Sequence, residues 1–385
     1  MAVKIEKDGS FQVIYGGAWK GLNVEAPPNL LDDLSFPAMS NIMLRNSAIQ
    51  SRPALTKIIN KTGFAPLVAF GTMLSSAYLP YTFAIDTLGD LFSLSEGPLT
   101  WTAVGSGANS PYVNNPALWR VFQNTLYYVN GSDQVSSWNP ATATFTPNAI
   151  TVGGNNVGAL FIDELDQHVI LANTNEAGTL FPYRLRWSAV GLPTMFDPAV
   201  NINAGFNDFI DVPDILCGTM MLGTVGYLFH QTGITQMSPT GEGASPFQFD
   251  HIWNSSDGTG AVWPYTIAQY GQVGAFVSKE EIYLVQNYAF TPIGGGCRDA
   301  IMADIQGNAY TYTNSISGNV YAPVMASIIP AYNNGFVHLV YQIIINGAEF
   351  SRVYEYSIEN GYWEVYNFYP SFASNIVTRP FLCQT

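Results

Sequence analysis

Charge is what this sequence has least of. Lys, Arg, Asp and Glu make up 11% of its 385 residues, against roughly 25% in an average soluble protein, so a long solvated helix or a coiled coil laced with ion pairs is excluded. The charge that exists is one-sided: 14 basic residues against 28 acidic ones, a formal net charge of −14. An acidic surface has no phosphate counterions to release, which argues against ordinary free binding to nucleic acid. Cysteine is scarce too. Cys217, Cys297 and Cys383 stand far apart without CxxC spacing, so neither a disulfide framework nor a structural zinc site is indicated, and the three read as idle or buried thiols. No apolar run approaches the ~18 residues of a membrane span, and Met1 to Ser10 is too charged for a signal peptide. The expectation is a chain made and kept, or assembled, in a cytoplasm, with no membrane partner.

Chemical motifs are missing as well. The four histidines (His168, His230, His251, His338) are scattered singly, so the expectation is no metal and no cofactor. Asp163-Glu164-Leu165-Asp166 is the densest acidic group; it lacks the order of a calcium loop and reads as a solvated turn between strands. There is no Gly-x-Ser-x-Gly elbow. Gly294-Gly295-Gly296-Cys297 lacks a recognisable strand-to-helix setting that would activate its thiol, and Gly241-Glu242-Gly243-Ala244-Ser245 has no lysine to meet phosphate. The enzymatic rival is a propeller glycoside hydrolase or lyase acting on polysaccharide, since two carboxylates suffice for such hydrolysis. Ser255 to Trp263 resembles the Ser-x-Asp-x-Gly-x-Thr-Trp box of sialidases, but Thr259 stands where that box requires Gly. No catalytic residues are assigned, and the expectation is a protein that is not an enzyme.

What is present is strand. Leu126 to Val129, His168 to Leu171, Tyr227 to Phe229, Ile282 to Val285 and Val337 to Tyr341 are short, β-branched or aromatic, and bounded by turn formers. Leu30 to Arg45 is expected to be irregular, with a short helix at most. Thr125 to Val129 and Val135 to Trp138 form a hairpin about Asn130-Gly131-Ser132-Asp133, and Arg352 to Ile358 pairs with Tyr362 to Tyr366 about Glu359-Asn360-Gly361. Further pairs lie within Leu67 to Leu94, Leu160 to Trp187, Leu216 to Gln236 and Ile267 to Gln286. About six units recur at roughly 40 to 65 residues, the spacing of propeller blades. Aromatics such as Trp138 and Trp363 suit the gaps between blades. A two-sheet sandwich is the rival architecture. The expected fold is all-β: a single β-propeller of about six blades (56–385) behind an irregular, extended N-terminal arm (1–55).

Arg184-Leu185-Arg186-Trp187-Ser188 through Gly191-Leu192-Pro193-Thr194-Met195-Phe196-Asp197-Pro198, then Asn203-Ala204-Gly205 to Asp211, resembles a phrase of bacteriophage tail-hub and packaged-DNA stabilisation proteins. Trp19-Lys20-Gly21-Leu22-Asn23 and Ser51-Arg52-Pro53 resemble phrases of the same family's N-terminal arm; Ala54 departs from it, where the family has Gly. The resemblance implies a virion subunit forming a multi-copy ring, the tail hub or nozzle, below portal and adaptor proteins. Such rings retain packaged DNA, form part of the ejection channel and in some phages carry tail fibres or spikes. It implies a homo-oligomer, genomic DNA passing without sequence-specific contacts, and a place in the phage tail or neck after assembly in the host cytoplasm. A head or fibre-attachment protein of the same fold is a further alternative. Tyr15, Trp19, Leu22 and Arg52 are the candidate subunit-interface residues, because desolvated aromatics and Arg anchor interfaces; packing of the arm on its own propeller is the competing reading. Arg184, Arg186, Asp197 and Asp208 are expected to be surface ions or intra-blade pairs.

Overall fold

A computed structural model describes residues 2–5, 11–14, 21–25, 35–36, 42–45, 48–51, 67–86, 88–95, 100–106, 117–131, 133–210, 214–254, 260–307, 324–329, 338–345 and 350–368. From residue 67 onward the strands gather into six antiparallel sheets in chain order. Blade one holds Leu67–Leu74, Pro80–Asp86, Leu91–Ser95 and Thr100–Gly105. Blade two holds Leu118–Phe122, Thr125–Val129, Ser136–Asn139 and Thr144–Thr146. Blade three holds Asn155–Leu165, His168–Glu176, Thr179–Trp187 and Gly205–Asp208, with Thr151–Val152 as a short extra strand on the first.

Blade four holds Leu216–Leu222, Val225–His230, Gly233–Pro239 and Phe247–Asn254. Blade five holds Ala268–Tyr270, Val273–Val277, Ile282–Gln286 and Ala289–Pro292. Blade six holds Val324–Ile329, His338–Ile345, Phe350–Ser357 and Tyr362–Phe368. In blades two to six the first main strand touches the first strand of the next blade, so these strands line a common axis. Sequential four-stranded meanders about an axis are a β-propeller.

Local chemistry sets the meanders. Strand joints fall where two consecutive residues take left-handed φ: Gln123 (48°) with Asn124 (60°), Asp166 (49°) with Gln167 (63°), and Asn287 (51°) with Tyr288 (61°). Such two-residue joints match the twist of the strands they link. The core is distributed between blades. Phe83, Ile85 and Leu91 of blade one meet Leu126, Tyr128 and Trp138 of blade two; Tyr127 and Val129 meet Ile162, Val169 and Leu171. Ile170, Leu185 and Trp187 meet Leu216, Leu228 and Phe247. Met220, Tyr227 and Phe229 meet Phe276 and Val285, and Val277, Ile282 and Leu284 meet Leu339, Tyr341, Tyr354 and Trp363. Each such side chain contributes about 1.5–3 kcal/mol on burial, and every boundary depends on both of its blades.

Trp138 sits edge-on to Tyr81 of blade one, ring centroids 5.9 Å apart. Trp363 donates its indole N–H to the Ile293 carbonyl (2.7 Å). Both tryptophans therefore fill blade junctions. The second contact also sets the direction of blade six: Trp363 begins its fourth strand, whereas Ile293 follows the end of blade five's fourth strand, so blade six runs in the opposite sense to its neighbour.

Three expectations are corrected. Arg298–Gly307 is an α-helix that strand periodicity did not reveal; it buries Ile301, Met302 and Ile305, too short a stripe to register. Strand Ala289–Pro292 leads through the turn Gly295–Cys297 into that helix, so the strand-to-helix setting denied to Cys297 exists. Within Leu30 to Arg45, Ser35–Phe36 and Ile42–Arg45 are strands, the latter paired with Ala48–Ser51.

Candidate functional site

Inner strands bring side chains from distant blades to one point on the axis. Asp163 lies on the inner strand of blade three with its side chain 2% exposed. Its Oδ1 accepts from Arg120 Nε of blade two (2.8 Å) and from Gln269 Nε2 of blade five (3.0 Å). Its Oδ2 accepts from Thr219 Oγ1 of blade four (3.2 Å). Gln269 in turn accepts from the Met221 amide through Oε1 (2.5 Å). One carboxylate thus ties four consecutive blades. The solvated turn expected at 163–166 is corrected: Asp163 is buried and ion-paired, and the turn proper is Asp166-Gln167. The mate of Asp163 was invisible in sequence because Arg120 lies 43 residues away. Glu164 points to the other side of the strand; desolvation, then the charge of Asp163, pushes its carboxyl above the usual range while Arg120 opposes them. A carboxylate saturated with donors is a clasp rather than a base.

The second cluster is the resemblance phrase itself, folded as the outer half of blade three. Arg184 grips Asp208 with two bonds (2.6 and 2.7 Å) and reaches Glu176 (3.1 Å). Arg186 grips Glu176 with two more (2.6 and 2.7 Å). Phe181 and Phe206 lie against the Arg184 guanidinium at 3.7 and 4.5 Å. Burial pushes the Glu176 carboxyl upward, but hydrogen bonding and charge from Arg186, then Arg184, hold it below its ordinary value. These are intra-blade pairs, one of the two readings expected; Glu176, their shared partner, was missed because its strand carries no second charge beside it. Asp197 takes another part, accepting from the amides of Ala199 (2.9 Å) and Gly153 (3.1 Å).

Histidines meet in blade four. His230 Nε2 and His251 Nδ1 each lie 2.9 Å from Thr235 Oγ1, and burial lowers His230 to about 4. No group of three or more His, Cys, Asp or Glu side chains able to hold a metal occurs among the described residues. Cys297 is buried, lies 3.1 Å from the Leu22 carbonyl, and is pushed up to about 12 by burial; Cys217 is raised by burial too. Both are thiols rather than nucleophiles. In blade six, Glu355 and Glu364 stand directly opposite each other on neighbouring strands, both buried.

Of the interface candidates, Tyr15, Trp19 and Arg52 lie outside the described residues. Leu22 is 6% exposed and packs with Cys297, Ile301 and Trp363 in the chain's own core. Around it Val24 N donates to Gly296 O (2.9 Å), and Asp299 N donates to Glu25 Oε1 (3.0 Å). The approach is close at Gly296, where a Cβ would fall 2.4 Å from the Asn23 side chain and displace it. At Leu22 the arm is fastened to its own propeller. Most of the sialidase-like box, 255–259, lies outside the described residues.

No protein-family model matches the sequence, and no curated protein matches it. The chain is similar to the solved structure of U3-55K, at 7% identity over 79% of this chain and 82% of that one, with a TM-score of 0.43. It is also similar to apo AztD from Citrobacter koseri, at 13% identity over 80% and 90%, TM-score 0.41, and to the RRP9 WD40 repeats, at 7% over 79% and 81%, TM-score 0.43. These likenesses concern general architecture; the propeller rests on the blade topology above.

Proposed function

We propose that this chain is a structural subunit of a tailed-bacteriophage virion, one of several copies in a ring at the tail hub or nozzle below portal and adaptor proteins. The ring retains packaged DNA, forms part of the ejection channel, and acts without catalysis or cofactor. The observation that carries the reading is the phrase that begins at Arg184, whose resemblance to tail-hub proteins falls on the end of strand Thr179–Trp187, the loop after it and strand Gly205–Asp208, with both locked arginines. The acidic balance supports it, because a wall of net negative charge offers the phosphates of passing DNA few cations to hold them. The fastening of Leu22 leaves the residues before it as the part of the arm available to a neighbouring copy.

The test is to image native particles and count copies of this chain around the symmetry axis. A closed ring on the axis beneath a portal is the expected result. A position on the head surface or a fibre stalk would replace the hub with an attachment role. Monomers at every concentration would overturn the ring.

A second reading has one observation in its favour. Glu355 and Glu364 form a buried cross-strand acid pair, and two neighbouring carboxyls are what glycoside hydrolysis uses. Hydrolysis of a polysaccharide that Glu355→Gln abolishes would support it; no hydrolysis across a polysaccharide panel would remove it.

A further inference from the structure

Blades one to five share one polarity. Each alternates in direction from its first strand, so the joints between first and second strands, and between third and fourth, emerge at one end, and Tyr128 Oη, which donates to Gly89 O (2.9 Å) at the other end, aligns blade one with blade two. Contacts between joints agree: Gln123 Nε2 donates to Gly191 O (3.0 Å), Gly191 N donates to Gln167 O (2.9 Å), and Gly223 lies beside Gln272 and Tyr288. This end, the turn face, has a particular surface. Eight of the thirteen exposed large apolar side chains among the described residues are on it, including Tyr78 (83% exposed), Val200 (69%) and Ile202 (66%). Tyr78 and Tyr288 sit at φ 58° and 61°, in a left-handed region that bulky residues avoid, so these rings are presented to solvent against backbone preference. The described joints of this face contain no Lys or Arg, but do contain Asp166, Asp197 and Glu242.

The arm has the complementary character. Residues 1–20, the part of the arm ahead of its anchor, hold three basic residues (Lys4, Lys7, Lys20) against two acidic ones (Glu6, Asp8), net positive by one, while the remainder of the chain carries −15. Its first twenty residues include Lys4, Lys7, Phe11, Tyr15, Trp19 and Lys20. Ala2–Ile5 pairs with Phe11–Ile14 as a two-stranded sheet, with no third strand among the described residues; a lone hairpin is marginal in water and needs a surface to cover. The arm's anchor, Leu22 to Glu25, sits at Gly296 to Asp299, after the last strand of blade five, on the face opposite the turns. Twenty residues reach up to about 65 Å when extended. An anchor on one face and an acceptor on the other is the polarity of a head-to-tail contact, which builds a ring where the rotation between copies closes and a filament where it does not. Two turn faces brought together would oppose acid to acid.

We propose that residues 1–20 of one copy dock on the turn face of the next, with the hairpin over Tyr78, Val200 and Ile202 and the lysines beside Asp197 and Glu242. The inference rests on the ring reading above and names the contact that builds the ring.

The test uses the full-length chain in two populations. One carries a photo-crosslinking phenylalanine analogue at Phe11; the other is isotope-heavy. They are mixed under conditions that allow exchange, irradiated, and read by mass spectrometry, with native mass measured on the same sample. Links from light Phe11 to heavy peptides spanning 75–80 or 188–204 are expected, falling at least fivefold in a Val200→Asp, Ile202→Asp partner that keeps its wild-type melting temperature. A ring with links only within one copy, or to heavy peptides elsewhere, overturns this inference and leaves the ring standing. A monomer without links between copies removes both. If the double substitution unfolds the chain, Glu242→Lys, on an exposed loop, provides the same comparison and is expected to weaken the link.

Discussion

Arg120 and Asp163 meet at 2.8 Å across the boundary between blades two and three, at the propeller axis, with the Asp163 side chain 2% exposed and that of Arg120 23%. Asp163 also holds Thr219 and Gln269, so this pair is the closed end of a clasp over four blades. Removing one partner leaves a buried charge short of a donor. Arg120→Met should lower unfolding free energy by about 3 kcal/mol, the low end for breaking a buried pair, because three donors remain: Thr219, Gln269 and the Glu164 amide. Arg120→Met combined with Asp163→Leu should cost less than the sum of the two single substitutions, as a double-mutant cycle in urea would show. Additive losses would mean that the pair is not coupled.

His230 links stability to pH. Its folded value is about 4, below the ordinary 6.5, and desolvation is the main cause. Between those values the unfolded chain binds the extra proton, so stability is full above about pH 6.5 and falls as pH drops towards 4. The loss is on the order of 3 kcal/mol. Melting temperature followed from pH 7 to pH 4 should decline, and His230→Gln should flatten that slope. An unchanged slope in the variant would assign the acid sensitivity to other groups.

The buried cysteines should be silent. Cys297 is pushed up to about 12 and Cys217 is raised by burial, so almost no thiolate exists at neutral pH. In a Cys383→Ser chain, an aromatic disulfide reagent should label neither residue in the native state and both in denaturant. Rapid native labelling at Cys297 would show that the Leu22 contact opens.

Tyr78 should exchange stability for assembly. At φ 58° and 83% exposed, it has backbone strain and little packing in the single chain. Tyr78→Asn should raise unfolding free energy by up to about 1 kcal/mol, since Asn tolerates the left-handed region, and should weaken association in sedimentation runs. A destabilised variant would place the ring in the chain's own core.

Local signals in the sequence determined the strands, their hairpins and their grouping into six units, because alternation and turn residues act within ten positions. The Asn-Gly joint at 130–131 and the pairing of 352–358 with 362–366 were legible for that reason. Intra-blade pairing of Arg184 and Arg186 was one of two readings the sequence left open, and Glu176, their shared partner, was not legible. The helix at 298–307 escaped because its buried stripe is three residues, shorter than any periodic pattern. Only the tertiary structure decided that Asp163 is a buried clasp: its partners lie 43, 56 and 106 residues away and become neighbours when four blades converge on one axis. It also decided that Leu22 belongs to the core, since its contact with Cys297 spans 275 residues. Side chains far apart in sequence carry no local mark of each other, because what joins them is the radial closure of the sheets rather than any pattern along the strand.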